Sequence, residues 1–282
     1  MKQALRILTI IILSATLIGC GSGAQVLGQS RSGKAPTYDY GVFLSVTDNL
    51  PQLADYKLVV IDAQYFSKRD IDNFKAVGHQ VYSYINIGSL ENFRDYYDDY
   101  KSLTLGPYEN WDEEYWMDVS KSAWQEFITK DLAPSLLKKD IDGFFVDNCD
   151  VYYNFPNKKI KDGLTTIMTA LVKTGKPVII NGGDAYLDAY CLNGGSCADV
   201  ITGINQESVF SSIDWDHKTF GTADPETREY FQSYIESYAA EGADIYILEY
   251  TTDPDLIKKI KSYCNTNKFH YYISDSLDLS AP

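Results

Sequence analysis

Residues 141–150, IDGFFVDNCD, decide how this chain folds. Gly143 to Val146 read as a strand buried on both faces, because no polar residue alternates within the run. The chain then presents Asp147, Asn148, Cys149 and Asp150 in a row. A core segment that ends in two carboxylates and an amide needs a reason to bring charge to the edge of an apolar layer.

Outward from that stretch the same grammar repeats. Apolar, β-rich runs occur at YGVFLSV (40–46), KLVVIDAQ (57–64), QVYSYINIG (80–88), DGFFVD (142–147), PVIING (177–182), DVITGINQE (199–207), ADIYILEY (243–250) and FHYYISD (269–275). Helical segments separate them. SKRDIDNFKAVG (67–78) opens on a Ser cap and closes on Gly78. In 120–140, Trp124, Phe127, Ile128, Leu132, Leu136 and Leu137 recur at helical spacing, with Pro134 expected to kink or divide the segment. Residues 159–175, 224–242 and 253–265 complete the set, the last two starting with Asp-Pro.

Continuous apolar strands alternating with helices predict a parallel sheet covered on its faces. Eight such units predict a closed α/β fold, the (β/α)8 TIM barrel, ahead of an open doubly wound sheet. The first helix is weak, since TDNLPQLADY (47–56) is short and contains Pro51. The connection 88–115 is too long for a plain loop and is expected to be functional.

The N-terminus is set aside first in counting domains. Lys2 and Arg6 precede an apolar stretch, Ile7 to Ile18, shorter than the roughly 20 residues of a membrane span. It reads as a secretory signal over 1–19. It ends in LIGC (17–20), which resembles a bacterial lipobox, with Cys20 as the lipidated residue; an uncleaved helix or an ordinary signal with a chance cysteine is the bland alternative. Residues 20–37, rich in Gly and Ser, read as a flexible tether. The body is then 38–282, a size one barrel fills. An exported protein, held by lipid to a membrane of the bacterial cell envelope, is the expectation.

The formal charge is −14, and −16 without Lys2 and Arg6. That argues against nucleic acid as a partner and fits a cationic polymer better, although an acidic surface also serves solubility. Aromatics reach 14%, with 23 Tyr, which can stack on sugar rings or pack the core. Cys191 and Cys197 bracket a Gly-rich loop; export permits a disulfide between them, and equally they could stay reduced. No CxxC pair occurs, and His79, His217 and His270 are far apart, so no metal is expected. No GxSxG, GxxxxGK[ST] or GxGxxG motif is present, and no cofactor is expected.

In a barrel, chemistry sits at the carboxyl ends of the strands. Read in order, those ends are Asp62; Tyr84 and Asn86; Asp147, Asn148 and Asp150; Asn181; Glu207; Glu249 and Tyr250; Ser274 and Asp275. Carboxylates gathered in one mouth push their pKa values apart, and a pair so divided can cleave a glycosidic bond as acid and nucleophile or base. Asp147 and Glu207, each directly after an apolar run, are the candidates. Each could instead cap a helix, bind calcium or pair with an arginine, and Asp150 looks more like a ligand or a cap.

The segments VVIDAQYF, VYSYINIGSLENFRDYY, WMDVSKSAWQEFI, DGFFVDNCDVY, VIINGG, INQESVF, ILEYT and YYISDSLD, in that order, resemble glycoside hydrolase family 114, the endo-α-1,4-polygalactosaminidase-like enzymes. The resemblance covers nearly all of 40–280. It implies a (β/α)8 barrel and an exported enzyme acting on α-1,4-linked galactosamine or N-acetylgalactosamine polysaccharide. By the matching motifs Asp147 would be the nucleophile and Glu207 the general acid/base. Asp62, Tyr84, Asn148, Asp150, Asn181 and Tyr250 are the expected substrate-binding groups. One departure stands out: the family often has Gly-Glu after the third strand, and this chain has Gly88-Ser89, which removes a carboxylate that an ammonium could use. A non-catalytic carbohydrate-binding lipoprotein on the same barrel is the alternative, and a purely structural surface protein a third reading. The Asp147–Glu207 separation discriminates among them.

Overall fold

The computed structural model describes residues 35–282. The expected signal, Cys20 and the tether up to residue 34 lie outside the described residues. All eight apolar runs form strands of one parallel sheet: β1 (Tyr38–Phe43), β2 (Tyr56–Ile61), β3 (Gln80–Asn86), β4 (Gly143–Asp147), β5 (Val178–Asn181), β6 (Gly203–Glu207), β7 (Asp244–Tyr250) and β8 (His270–Ser274). The spatial order follows the chain from β1 to β8. β8 returns beside β1, where the Phe43 and Tyr272 rings meet edge-on at 5.1 Å across the seam. The result is a (β/α)8 barrel.

The pleat sends alternate residues inward. Its inward rows carry Val42, Val60, Tyr84, Phe145, Ile179 and Leu248, all buried, and end in the polar groups described below. Helices 158–172, 225–240 and 254–267 lie where their periodicity and caps put them; Asn157, Asp224 and Asp253 each accept backbone N–H groups of the first turn. The first connection is a 3-10 turn, Leu50–Leu53, rather than a helix, with Pro51 at its start. The Pro134 segment is divided as expected. Helix 122–126 passes into a π turn at Phe127–Leu132 and resumes at Ala133–Lys138, because proline supplies no N–H to the turn before it.

Two insertions rise above the carboxyl ends. The long 88–115 connection, with the residues that follow it, builds a three-stranded antiparallel sheet from Ser89–Glu91, Thr104–Pro107 and Glu114–Met117. After β6, Ser211–Asp214 and Thr219–Thr222 form a hairpin. Cys191 and Cys197 are both free thiols, and the Tyr238 hydroxyl donates to Cys191 Sγ at 3.7 Å.

Candidate active site

Asp147 and Glu207 are the last residues of β4 and β6, and Asn181 ends β5 between them. One Asn181 Nδ2 donates to Asp147 Oδ1 at 2.9 Å and to Glu207 Oε1 at 2.7 Å. Those two oxygens therefore cannot lie farther apart than the two bonds laid end to end, about 5.6 Å. The amide is itself held. Asn205 Nδ2 donates to Asn181 Oδ1 at 2.7 Å, and the Tyr40 hydroxyl donates to Asn205 Oδ1 at 3.1 Å. The Tyr250 hydroxyl donates to Glu207 Oε2 at 2.7 Å. A chain of fully used buried donors of this kind fixes both carboxyl groups in orientation.

The backbone stops at the same place twice. Asn148 follows Asp147 with φ 65°, and Ser208 follows Glu207 with φ 54°. Left-handed geometry costs a non-glycine residue about 1–2 kcal/mol, and the two residues end their strands directly after the two carboxylates. Gly88 makes room on the neighbouring loop: a Cβ there would stand 1.6 Å from the Asn148 carbonyl oxygen. Gly182 and Gly183, in the tight turn after β5, take φ 62° and 72°, and the Gly183 N–H reaches Asp150 Oδ1 at 3.3 Å.

Burial raises the carboxyl pKa values, as desolvation disfavours charge. Asp147 is pushed up to about 6 by burial and, more weakly, by Glu207, with the Asn181 amide acting against this. Burial also raises Glu207, opposed by Asn181 and Tyr250. Asp150 rises to about 7 through burial and the nearby Asp184 and Asp147.

All eight residues expected at the site line one cavity of about 540 Å³. Their situations differ. Asp62 is engaged, accepting from Arg94 and from the Gln64 N–H. Arg94 also grips Glu91 through two bonds of 2.8 Å, and the Tyr84 hydroxyl donates to Glu91 Oε1 at 3.1 Å. The strand-end list needs correction at four points. Asn86 does not line the cavity; its Nδ2 donates to Ser89 Oγ at 2.7 Å. Glu249 has the wrong parity for the mouth; it faces outward and accepts from the Phe210 and Ser211 N–H groups at 2.8 Å. Ser274 turns its hydroxyl onto the Ser276 carbonyl. Neither it nor Asp275 lines the cavity, whose wall here is Leu277, Asp278 and Leu279.

The insertions add residues that strand ends could not reveal. Glu114 lines the cavity, and its Oε2 accepts from Ser89 Oγ at 2.6 Å, Asn148 Nδ2 at 3.3 Å and Asn86 Nδ2 at 3.5 Å. A carboxylate thus stands against Ser89, where the sequence lacks one. Burial and the nearby Glu91 push Glu114 up to about 7. Tyr108, stacked on Trp116 at 4.2 Å, lies in the field of Asp147, Asp150, Glu114 and Glu207. The length of the 88–115 connection was the one sequence signal for these residues. Among the described residues, ten carboxyl side chains and a single guanidinium line the cavity, and that guanidinium is Arg94, already bound to two of them.

Comparison with known proteins gives the family and the fold. The profile of glycoside-hydrolase family GH114 matches residues 24–279. The glycoside hydrolase domain of PelA from Pseudomonas aeruginosa superposes with a TM-score of 0.71 at 17% identity, over 86% of this chain and 95% of that one. Aspergillus fumigatus Ega3, solved in complex with galactosamine, gives 0.65 at 15% identity, over 88% and 94%. The α-galactosidase TtGalA of Thermus thermophilus gives 0.56 at 11% identity, over 89% and 60%. At such identities the likeness is one of fold. Among curated proteins nothing matches the chain.

Proposed function

The chain belongs to glycoside-hydrolase family GH114, and from that premise we propose that it cleaves α-1,4-linked galactosamine or N-acetylgalactosamine polysaccharide with retention of configuration, using Asp147 and Glu207. The observation that carries this reading is the shared Asn181 amide. It holds the two carboxylates within about 5.6 Å, near the 5–5.5 Å of retaining enzymes and short of the roughly 6.5–9.5 Å that leaves room for an inverting water. Glu207 protonates the glycosidic oxygen as Asp147 attacks the anomeric carbon; the leaving chain departs with that proton. Glu207 then takes a proton from water, whose oxygen displaces Asp147 from the sugar.

Charge supports an amino sugar. Ten cavity carboxyls face one committed guanidinium, so a substrate ammonium would find partners and a sugar acid would be repelled. Glu114, with Oε2 held by three donors, is the group we assign to that ammonium. Ega3 was solved with galactosamine, which is consistent with this assignment.

The test is direct. The protein is incubated with deacetylated and acetylated α-1,4-galactosamine polymers, with Asp147→Asn and Glu207→Gln as controls, and chain length and product anomer are followed by NMR. Shortened chains with α-configured new ends support the reading. Binding without cleavage would favour the carbohydrate-binding alternative, and β-configured ends would refute retention. The LIGC segment supports lipid anchoring in the cell envelope. Labelling with radioactive palmitate, lost in Cys20→Ala, is the outcome expected there.

A further inference from the structure

Aromatic rings around the mouth are not used by the chemistry above. Seven Tyr, Phe and Trp side chains are more than a third exposed, and all but Tyr38 sit on the loops and helix starts at the carboxyl ends of the strands. A soluble protein scatters such rings singly; gathered around one cleft they mark a binding surface.

Two of them bridge that cleft. Trp111, at the tip of the insertion between β3 and β4, and Trp215, at the tip of the hairpin between β6 and β7, meet edge-on, with ring centroids 5.9 Å apart at 74°. Both line the cavity that holds Asp147 and Glu207, yet they stay 42% and 37% exposed. Their contact is therefore not a packed seam closing one hairpin onto the other. The barrel order makes it a chord across the ring of strand ends. On one side of the chord lie the ends of β1, β2 and β3, with exposed Tyr65 and Phe93. On the other lie Asp184 after β5 and exposed Tyr153 and Tyr230, the Tyr230 hydroxyl donating to Asp184 Oδ2. The cavity wall includes Tyr65 and Phe93 from the first side and Asp184 from the second, so it runs on under the bridge.

A site for one sugar needs rings on one side only, and here exposed aromatics stand on both sides of the chord. We propose that Trp111 and Trp215 form a clasp over a linear amino-sugar polysaccharide lying across the carboxylate pair, with sugar rings bound on the Tyr65–Phe93 side and on the Tyr153–Tyr230 side. The inference rests on the glycosidase reading. An edge-on indole pair presents apolar faces and N–H donors suited to pyranose rings and hydroxyls. One ring contact is weak enough to part when a chain enters sideways.

The test uses the full chain with Trp111→Ala, Trp215→Ala and the double variant. Initial rates are measured on a long deacetylated α-1,4-galactosamine polymer and on its trisaccharide. The ratio of polymer to trisaccharide kcat/KM is expected to fall about tenfold in each single variant, the scale of a lost tryptophan anchor, with little further loss in the double, because the clasp needs both rings. Equal losses on the two substrates, or none on the polymer, would overturn the clasp while leaving the glycosidase reading intact. No cleavage by the native protein would overturn both. Binding gives a second readout, in the Asp147→Asn protein. Trp116 and Trp124 are buried, so polymer should change indole fluorescence in proportion to Trp111 and Trp215, and Trp111→Phe with Trp215→Phe should abolish the change. A full signal in that double variant counts against the clasp.

Discussion

Asn181 and Tyr250 both donate to Glu207, but only Asn181 also donates to Asp147. Under the proposed roles the two substitutions move different limbs of the pH profile. Each bond favours the ionised carboxylate and so lowers its pKa. Asp147, near 6, must be ionised to attack, so kcat/KM rises with pH through about that value. Glu207 must keep its proton, so activity falls when it ionises. Tyr250→Phe removes one bond to Glu207 alone. The falling limb should move to higher pH while the rising limb stays, with a loss in kcat of about tenfold. Asn181→Ala removes a bond from both, so both limbs should move up, and the lost alignment should cost kcat about 100-fold. A pH series of initial rates on both variants checks this. A rising limb that shifts in Tyr250→Phe would contradict the assignment.

At the scale of elements, the barrel strands were readable, whereas of the insertions only the length of 88–115 was. Runs such as Gly143–Val146 are apolar throughout because helices cover one face and the barrel interior the other, and that leaves an unmistakable local mark. Pleat parity was readable too, yet Glu249 was misplaced, since its neighbour Tyr250 takes the inward position and a polar residue gives no sign of which face it joins. Glu114 was invisible for a different reason. Its place against Ser89 is set by antiparallel pairing of Ser89–Glu91 with Glu114–Met117, a contact between distant residues without periodicity in the chain. The Trp111–Trp215 contact is longer-ranged still. One glycine ties the insertion to the site: the Gly88 carbonyl accepts from the Met117 N–H at 2.9 Å, and its bare Cα packs against the Asn148 carbonyl. Gly88→Ala has no flexible neighbour to push aside, only backbone. It should lower stability by roughly 2–4 kcal/mol and move Asn148 and Glu114 away from Asp147. Denaturant melts should show the first effect. A raised KM on deacetylated polymer should show the second, and a variant with native stability and KM would mean that the loop yields easily.

Across the whole molecule, the buried carboxyls, those of the cavity and Glu249 behind it, should be visible in how stability responds to pH. Asp147, Asp150, Glu114 and Glu249 have folded-state pKa values raised to about 6, 7, 7 and 7, burial being the leading cause in each. A carboxyl raised in this way holds its proton in the fold after the unfolded chain has released it. Its contribution is fully present below the ordinary carboxyl range, near pH 4, and is lost as pH climbs through the folded value. The net charge of −14 acts in the same direction, because ionisation adds to self-repulsion. Below about pH 4 the sign reverses: Asp70, Asp118, Asp140, Asp214 and Asp224 are held below the usual range, mainly by hydrogen bonds, and their stabilisation goes as they protonate. Thermal melting should therefore peak near pH 4–5 and decline toward pH 8. The two causes of the decline separate with salt. Surface repulsion is screened at about 0.5 M, whereas buried groups are little affected, so most of the slope should survive. Asp150→Asn, which cannot ionise, should flatten the slope between about pH 4 and 7. Melting curves at five pH values, with and without salt, decide the matter; a slope that vanishes in salt would assign the pH response to the surface and leave the cavity carboxyls with ordinary affinity for protons.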